Sequence, residues 1–355
     1  MDQILDDLKE IERCDAQDML GHLRNFPEQL EDAIRLAEAF EIQDFKPRQI
    51  IIAGVGGSAI GGDILATWLY NRIDIPIIVI RDYNLPLFVD ENTLLFTVSY
   101  SGNTEETLSL FSEGIKRQCR IVAITSGGKL EELGKNENIK LISIPKRIPP
   151  RAAIAYLFMP MVIVLKKLGL HDPEDELKVA IDSLKRQKEQ MVPENPAEKN
   201  PAKQIALKLR GEIPIIYGGG MYKVVARRWG TQLNENAKML AWFATFPEMN
   251  HNEIEAWASD DNSKKLTAVL LRDNFALESP LQKRFGLTKS SIFEKYTKKV
   301  VEVIAFGGEE KDHLARMLYS LYLGDFVSVY LAILQGIDPT PVSAIEGFKR
   351  DLAGI

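Results

Sequence analysis

The chain has 355 residues, with 44 Lys and Arg against 50 Asp and Glu, for a formal net charge of −6 at pH 7. That length suffices for two domains, the 45% hydrophobic and 26% charged content is that of an ordinary globular protein, and the acidic balance, with a pI near 5.5, argues against nucleic-acid binding, which wants a basic face. Cys14 and Cys119 lie in unrelated contexts, so neither a disulfide framework nor a zinc spacing is present.

The first 40 residues open on MDQILDDLKEIERCD, which is acidic and amphipathic and reads as a helical segment rather than a signal peptide. From Gln49 strands and helices alternate. IIIAGVGGS is a strand and Gly-rich turn, IGGDILATWLYNR a helix, IPIIVIRD a strand, and TLLFTVSYSGNT a strand and turn. ETLSLFSEGIKR follows as a helix, RIVAITSGGKL as a strand and turn, EELGKNE as a short helix and IKLISIP as a last strand. This α/β pattern predicts a doubly wound parallel sheet over 41–170. The longest apolar stretch, AAIAYLFMPMVIVL (152–165), is too short to span a bilayer and reads as a buried core helix. A cytoplasmic protein with no membrane partner is expected.

A charged helix follows, then the proline-rich VPENPAEKNPA as the best linker candidate, helix and linker together covering 171–203. The pattern then restarts over 204–335, leaving a tail at 336–355. GEIPIIYGGGMYKVVARRWG parallels QIIIAGVGGSAIGGDIL, with Gly218 and Gly220 at the places of Gly54 and Gly56. LAWFATFPE parallels IPIIVIRD, and KLTAVLLRD parallels TLLFTVSYS. VVEVIAFGGEEKDHL parallels CRIVAITSGGKLEEL, with Gly307–Gly308 at the place of Gly127–Gly128. Two domains in tandem by internal duplication follow. Tyr222 stands in the second copy where Ser58 stands in the first, and LRDNFA where SYSGNT stands, so one anion site per chain is expected.

That site is expected where TVSYSGNT (97–104) turns from strand to helix. Ser99, Ser101, Gly102, Asn103 and Thr104 fall at the carboxyl edge of a sheet, where ligands bind. Hydroxyls beside the unpaired N–H groups of a helix start suit a phosphate monoester. The bland alternative is a capping box, with Asn103 or Thr104 as N-cap and Glu106 or Thr107 following. GVGGSAIGGD (54–63) has the spacing G-x-G-G-S-x-x-G-G rather than G-x-G-x-x-G, and no acidic residue is clearly placed at the end of the next strand. A nicotinamide site is therefore not expected. The glycines instead let backbone N–H groups approach a ligand.

GVGGSAIGGD and TVSYSGNTEET in a duplicated α/β chain resemble the sugar isomerase (SIS) fold. Four further pieces, IPPRAAIAY (148–156), WGTQLNENAK (229–238), FPEMNHNEIEAW (246–257) and DPTPVSAIEGFKRDL (338–352), resemble the bifunctional phosphoglucose/phosphomannose isomerases. The resemblance runs from about residue 40 to the C-terminus. It implies two SIS domains, the first of them binding phosphate, and a homodimer acting on a hexose 6-phosphate. The reaction it implies is aldose–ketose isomerisation through a cis-enediol(ate), with no cofactor and no metal.

The resemblance also implies roles. Gly57, Ser58, Ser99, Ser101, Gly102 and Thr104 anchor the phosphate. Glu235 is the base that moves a proton between C1 and C2, and a carboxylate serves if burial raises its pKa. His251 opens the ring and reaches the active site of the other subunit, and histidine suits proton transfer near neutral pH. Lys349 works with it at the ring oxygen, although the adjacent Arg350 is an alternative. Arg151, fixed after two prolines, is a cation for the enediolate. Thr340, in DPTP, sits near C1 and C2 and bears on acceptance of both C2 epimers. Each has a plainer reading: helix caps for the hydroxyls and His251, a surface glutamate, a snorkelling lysine and a boundary salt bridge. His22, His171 and His313 lie among polar residues and read as surface. A non-catalytic sugar-phosphate regulator would want a helix-turn-helix and a basic face, neither of which is present. Among other SIS enzymes, a synthase would want an N-terminal cysteine nucleophile where this chain has MDQ, and the pentose and heptose isomerases usually have one SIS domain.

Overall fold

The computed structural model describes residues 2–275, 277–304 and 312–353, so the expected Gly307–Gly308 turn lies outside the described residues. The chain divides into two compact units, Asn25–Ile181 and Met1–Arg24 with Asp182–Ile355. The short helices α1 (Leu8–Cys14) and α2 (Met19–Arg24) thus fold with the carboxy-terminal half.

In the unit Asn25–Ile181, α3 (Phe26–Glu38) precedes a five-stranded parallel sheet of β1 (Gln49–Ala53), β2 (Ile77–Ile80), β3 (Thr93–Ser99), β4 (Arg120–Thr125) and β5 (Leu141–Ser143), in the order β2-β1-β3-β4-β5. β3 is buried at every position, as a strand covered on both faces must be. Its helices are α4 (Gly57–Trp68), α5 (Glu105–Lys116), α6 (Gly128–Asn136) and α7 (Ile154–Lys167). Ile51, Leu95, Leu110, Phe111 and Leu130 form the core under α5 and α6. The apolar run at 152–165 is the buried helix expected, packed on α3 and α4. The chain leaves β1 toward β2 and returns to the other side of β1 as β3, so the order reverses between β1 and β3. In a parallel sheet the carboxyl end of such a switch point is where ligands bind, and there the turns GVGGS and SYSGNT meet.

The charged helix α8 (Glu174–Met191) contains the division between the units. The second unit continues with α9 (Pro201–Leu209) and a parallel sheet of β6 (Pro214–Gly219), β7 (Trp242–Phe246), β8 (Thr267–Arg272) and β9 (Lys299–Ile304), ordered β7-β6-β8-β9. This is the same strand path as β2-β1-β3-β4, as the duplication requires. Its helices are α10 (Tyr222–Glu235), α11 (Glu253–Ser259), α12 (Pro280–Thr288), α13 (Glu294–Tyr296), α14 (His313–Leu334) and α15 (Ser343–Ala353).

Two expectations change. The stretch read as a linker is folded within the second unit: Asn200 caps α9, its Nδ2 donates to the Val192 carbonyl at 3.1 Å, and the buried Lys203 donates to the Pro193 carbonyl at 2.7 Å. α14 is the longest helix among the described residues. It is long and apolar enough to cross a membrane, yet it is buried throughout from Leu314 to Leu334 and packs on α2, α9 and α10. His171 is not a surface histidine but half-buried, edge-on to Trp68 with ring centroids 5.0 Å apart.

Candidate active site

The first unit builds an anion cradle from two adjacent turns. Gly56 turns the chain out of β1 with φ 57, a left-handed conformation that favours glycine, and α4 starts at Gly57 with no side chain capping it. Ser58, buried in the first turn, accepts a hydrogen bond from the Tyr100 N–H at 3.2 Å and so ties this turn to the one after β3. There Ser99 Oγ accepts from the Gly102 N–H at 3.1 Å and bonds the Thr104 hydroxyl at 3.0 Å. Ser101 Oγ accepts from the Asn103 N–H at 3.2 Å and is otherwise exposed.

The capping-box reading fails here. Thr104 holds the N-cap position of α5 but makes no side-chain cap bond, and Asn103 Oδ1 accepts from the Lys129 N–H of α6 instead. Two neighbouring helix starts therefore have no side-chain cap, beside three hydroxyls, which is the local chemistry an anionic ligand uses. Gly102 is required by packing: at φ 70, an added Cβ would stand 1.7 Å from the Gly127 carbonyl oxygen.

Arg151 is brought to the same turns. A Cβ at Gly57 would lie 3.1 Å from the Pro150 carbonyl oxygen and 3.4 Å from Arg151 Cα, so the bare glycine lets the Pro150–Arg151 backbone close on the start of α4. Tyr100 holds the approach to it. Its hydroxyl donates to the Pro145 carbonyl at 2.9 Å and accepts from the Ile148 N–H at 2.8 Å, and burial raises its pKa. Arg151 itself is 4% exposed, and its backbone lies against the first residue of α4.

The second unit's corresponding edge is filled by its own side chains. Tyr222, at the place of Ser58, is buried and donates to Asp273 Oδ2 at 3.2 Å. Asp273 follows β8 directly, accepts from Arg316 Nη1 at 2.6 Å and from the Phe275 N–H at 3.0 Å. A carboxylate already sits on the arginine there.

Glu235 is the last residue of α10 and is half-buried. The face of α10 that leads to it is pinned to α14: Arg228 pairs with Asp325, Gln232 Nε2 donates to Asp325 Oδ1 at 2.9 Å, and Asn236 Nδ2 donates to Ser328 Oγ at 2.9 Å. The turn that follows meets the loop of Thr340, because Lys238 Nζ donates to the Pro339 carbonyl at 2.9 Å. His251 ends a short 3₁₀ turn, Glu248–His251, and is exposed. Its neighbours are tethered: Asn250 Nδ2 to Thr288 Oγ1 at 2.8 Å, and Asn252 Nδ2 to Glu248 Oε1 at 3.0 Å. Glu253 accepts from the Tyr217 hydroxyl at 2.9 Å, and Trp257 donates to that same hydroxyl at 2.9 Å. The acidic and aromatic residues of FPEMNHNEIEAW thus anchor α11 behind the histidine. Lys349 and Arg350 are both exposed on α15. Sequence reasoning missed Tyr100, Arg228, Tyr217 and Lys238, all of them inside or beside motifs it quoted. Among the described residues no group of three or more His, Cys, Asp or Glu side chains is placed to hold a metal ion.

Known proteins carry the same pattern. The family profile described as the bacterial phospho-glucose isomerase C-terminal SIS domain matches residues 198–352. A bifunctional phosphoglucose/phosphomannose isomerase of Caldicellulosiruptor bescii is 39% identical over 95% of this chain and 99% of its own length. One from Aquifex aeolicus is 38% identical over 91% of this chain and 99% of its own. The crystal structure of a glucose-6-phosphate isomerase like protein from Thermus thermophilus superposes with a TM-score of 0.64 at 19% identity, covering 98% of each chain. The last shows a shared fold; the first two, more than 35% identical over at least nine-tenths of both chains, show more: the chain belongs to the bifunctional phosphoglucose/phosphomannose isomerase family.

Proposed function

We propose that this chain interconverts glucose 6-phosphate and mannose 6-phosphate with fructose 6-phosphate through a cis-enediol(ate), as a cytoplasmic homodimer and independently of a metal. The observation that carries the reading is the cradle. Two helix starts without side-chain caps share Ser58, Ser99 and Thr104, with buried Arg151 beside them.

In this reading the backbone N–H groups and the hydroxyls of Ser58, Ser99, Ser101 and Thr104 hold the 6-phosphate. His251 and Lys349 move the anomeric proton to the ring oxygen and open the ring. Glu235 removes the C2 proton of the open aldose, and the electron pair forms the C1–C2 double bond of the enediolate. Arg151 stabilises its negative oxygen. The O2 proton passes to O1 and Glu235 returns the carbon-bound proton to C1, so that the C2=O and C1–OH of the ketose form together. The C2 configuration is lost in the enediolate, so proton return to either face of C2 yields either aldose, with Thr340 bearing on that tolerance.

The dimer reading is supported by α15, whose Ile345, Phe348 and Leu352 are spaced three and four apart along one side of the helix and exposed, Phe348 to 67%. The exposure of His251 suits a residue that serves a partner's site. The test is a coupled assay with chelator present, offering each aldose phosphate separately and detecting fructose 6-phosphate, with light scattering for the oligomer. Turnover of both sugars is expected; phosphosugar binding without turnover would replace the enzyme reading with a sensor.

A further inference from the structure

One side chain ties the backbone of Glu235 to the loop of Thr340. Lys238 directs its ammonium to two carbonyls, that of Glu235 and that of Pro339. Pro339 is buried and immediately precedes Thr340, whose N–H donates to Asp338 Oδ1 at 2.9 Å. A third tie joins the same turn to the end of α14, where Gln335 Nε2 donates to the Ala237 carbonyl at 3.1 Å. Lys238 makes its bonds from a left-handed backbone conformation, φ 54. Glycine is the usual occupant just past a helix end and adopts that conformation without penalty. A lysine held there in spite of its Cβ points to a role for the ammonium rather than for the turn.

We propose that Lys238 is a positioning residue that fixes the Thr340 loop against Glu235 and thereby sets the ratio in which the two C2 epimers are used. The proposal builds on the isomerase reading above. Glucose 6-phosphate and mannose 6-phosphate share the phosphate and every stereocentre of the open chain except C2, and they share the enediolate. Interactions with the common groups cancel when kcat/KM for one sugar is divided by that for the other. What survives is how the C2 hydrogen and hydroxyl sit between the base and the hydroxyl nearest them. A four-carbon stem whose charged end is held by two carbonyls acts as a spacer between those elements while both bonds are made. Small displacements of such groups change rates strongly.

The test measures kcat/KM with each aldose phosphate for the full-length wild type, Lys238→Met, Lys238→Arg, Thr340→Ala and the Lys238→Met/Thr340→Ala double variant. Lys238→Met is expected to move the epimer ratio by at least about threefold while both sugars still turn over. Lys238→Arg, which keeps a donor cation, moves it less. Lys238→Met adds no further change to the ratio once Thr340 is alanine. A proportional loss with both sugars overturns the proposal, as does the full Lys238→Met effect on top of Thr340→Ala. If a thermal melt shows Lys238→Met unfolded, Lys238→Gln is read against Lys238→Arg by the same criteria. A wild type that turns over neither sugar fails the isomerase reading itself and takes this one with it.

Discussion

Arg228 and Asp325 form a two-point ion pair buried between α10 and α14, Nε to Oδ1 at 2.8 Å and Nη2 to Oδ2 at 2.6 Å. Residues 228, 232 and 236 recur every four positions and all bond α14, so they share one face of the helix. Glu235 sits beside the last of them. Burial pushes the Asp325 pKa up, against the opposing pull of Arg228 and Gln232, so the carboxylate depends on its partners. Arg228→Met is therefore expected to cost about 3–5 kcal/mol, the penalty of a buried charge left alone. Denaturant midpoints check this, and Arg228→Met/Asp325→Leu should recover most of the loss. Equal destabilisation of the single and double variants would contradict it.

Gly102→Ala should collapse the cradle, because its Cβ would overlap the Gly127 carbonyl at 1.7 Å and its φ of 70 disfavours any side chain. The expected result is a lower thermal midpoint and a rise of more than about tenfold in KM for either sugar phosphate, since a hydrogen bond to a charged group is worth about 1.5–3 kcal/mol. Inhibition by inorganic phosphate should weaken in parallel.

Ser58→Ala is the gentler version. It removes one hydroxyl from the anion and leaves the Tyr100 N–H without its 3.2 Å acceptor. At about 1.5–3 kcal/mol for a bond to a charged ligand, KM should rise by about 10- to 100-fold with a smaller change in kcat. A kcat loss with unchanged KM would place Ser58 elsewhere in the cycle.

His171 offers a test by pH. Burial lowers its pKa, outweighing the carboxylate of Glu176 at 3.5 Å, while Arg72 lowers it further and Asp172 opposes. An unfolded histidine titrates near 6.5, so the folded chain binds fewer protons just below that pH. Its contribution to stability is complete above pH 6.5 and is lost as pH falls through the lower, folded value. His171→Phe, which keeps a ring against Trp68, should lose less in thermal midpoint between pH 7 and 5 than the wild type. Equal slopes would contradict the assignment.

The fold was legible because its signals are local. TLLFTVS passes from apolar to polar within two residues, and the same strand–turn–helix order returns after residue 204, so both sheets and the switch point between β1 and β3 follow from period and punctuation. The roles inside the motifs were less legible, because they depend on partners far along the chain. Tyr100 in SYSGNT carries no local sign of its role, which is to bond Pro145 and Ile148 through its hydroxyl. Asn103 reads as the cap of its own helix and instead bonds the start of α6. Arg228 and Asp325 are 97 positions apart. The folding of the first 24 residues with the carboxy-terminal half depends on contacts such as Tyr322 to the Leu23 carbonyl, 299 positions apart, and Lys203 to Asp6, 197 apart. Periodicity carries no such information.

The central claim, proton transfer through an enediolate by Glu235, is tested most directly by proton NMR of fructose 6-phosphate incubated in D₂O with the wild type or Glu235→Gln. The account predicts that both glucose 6-phosphate and mannose 6-phosphate form, that deuterium accumulates at their C2 over many turnovers, and that both signals vanish with Glu235→Gln. Full retention of protium at C2 would mean a hydride shift rather than an enediolate. Undiminished turnover by Glu235→Gln would mean that another residue is the base.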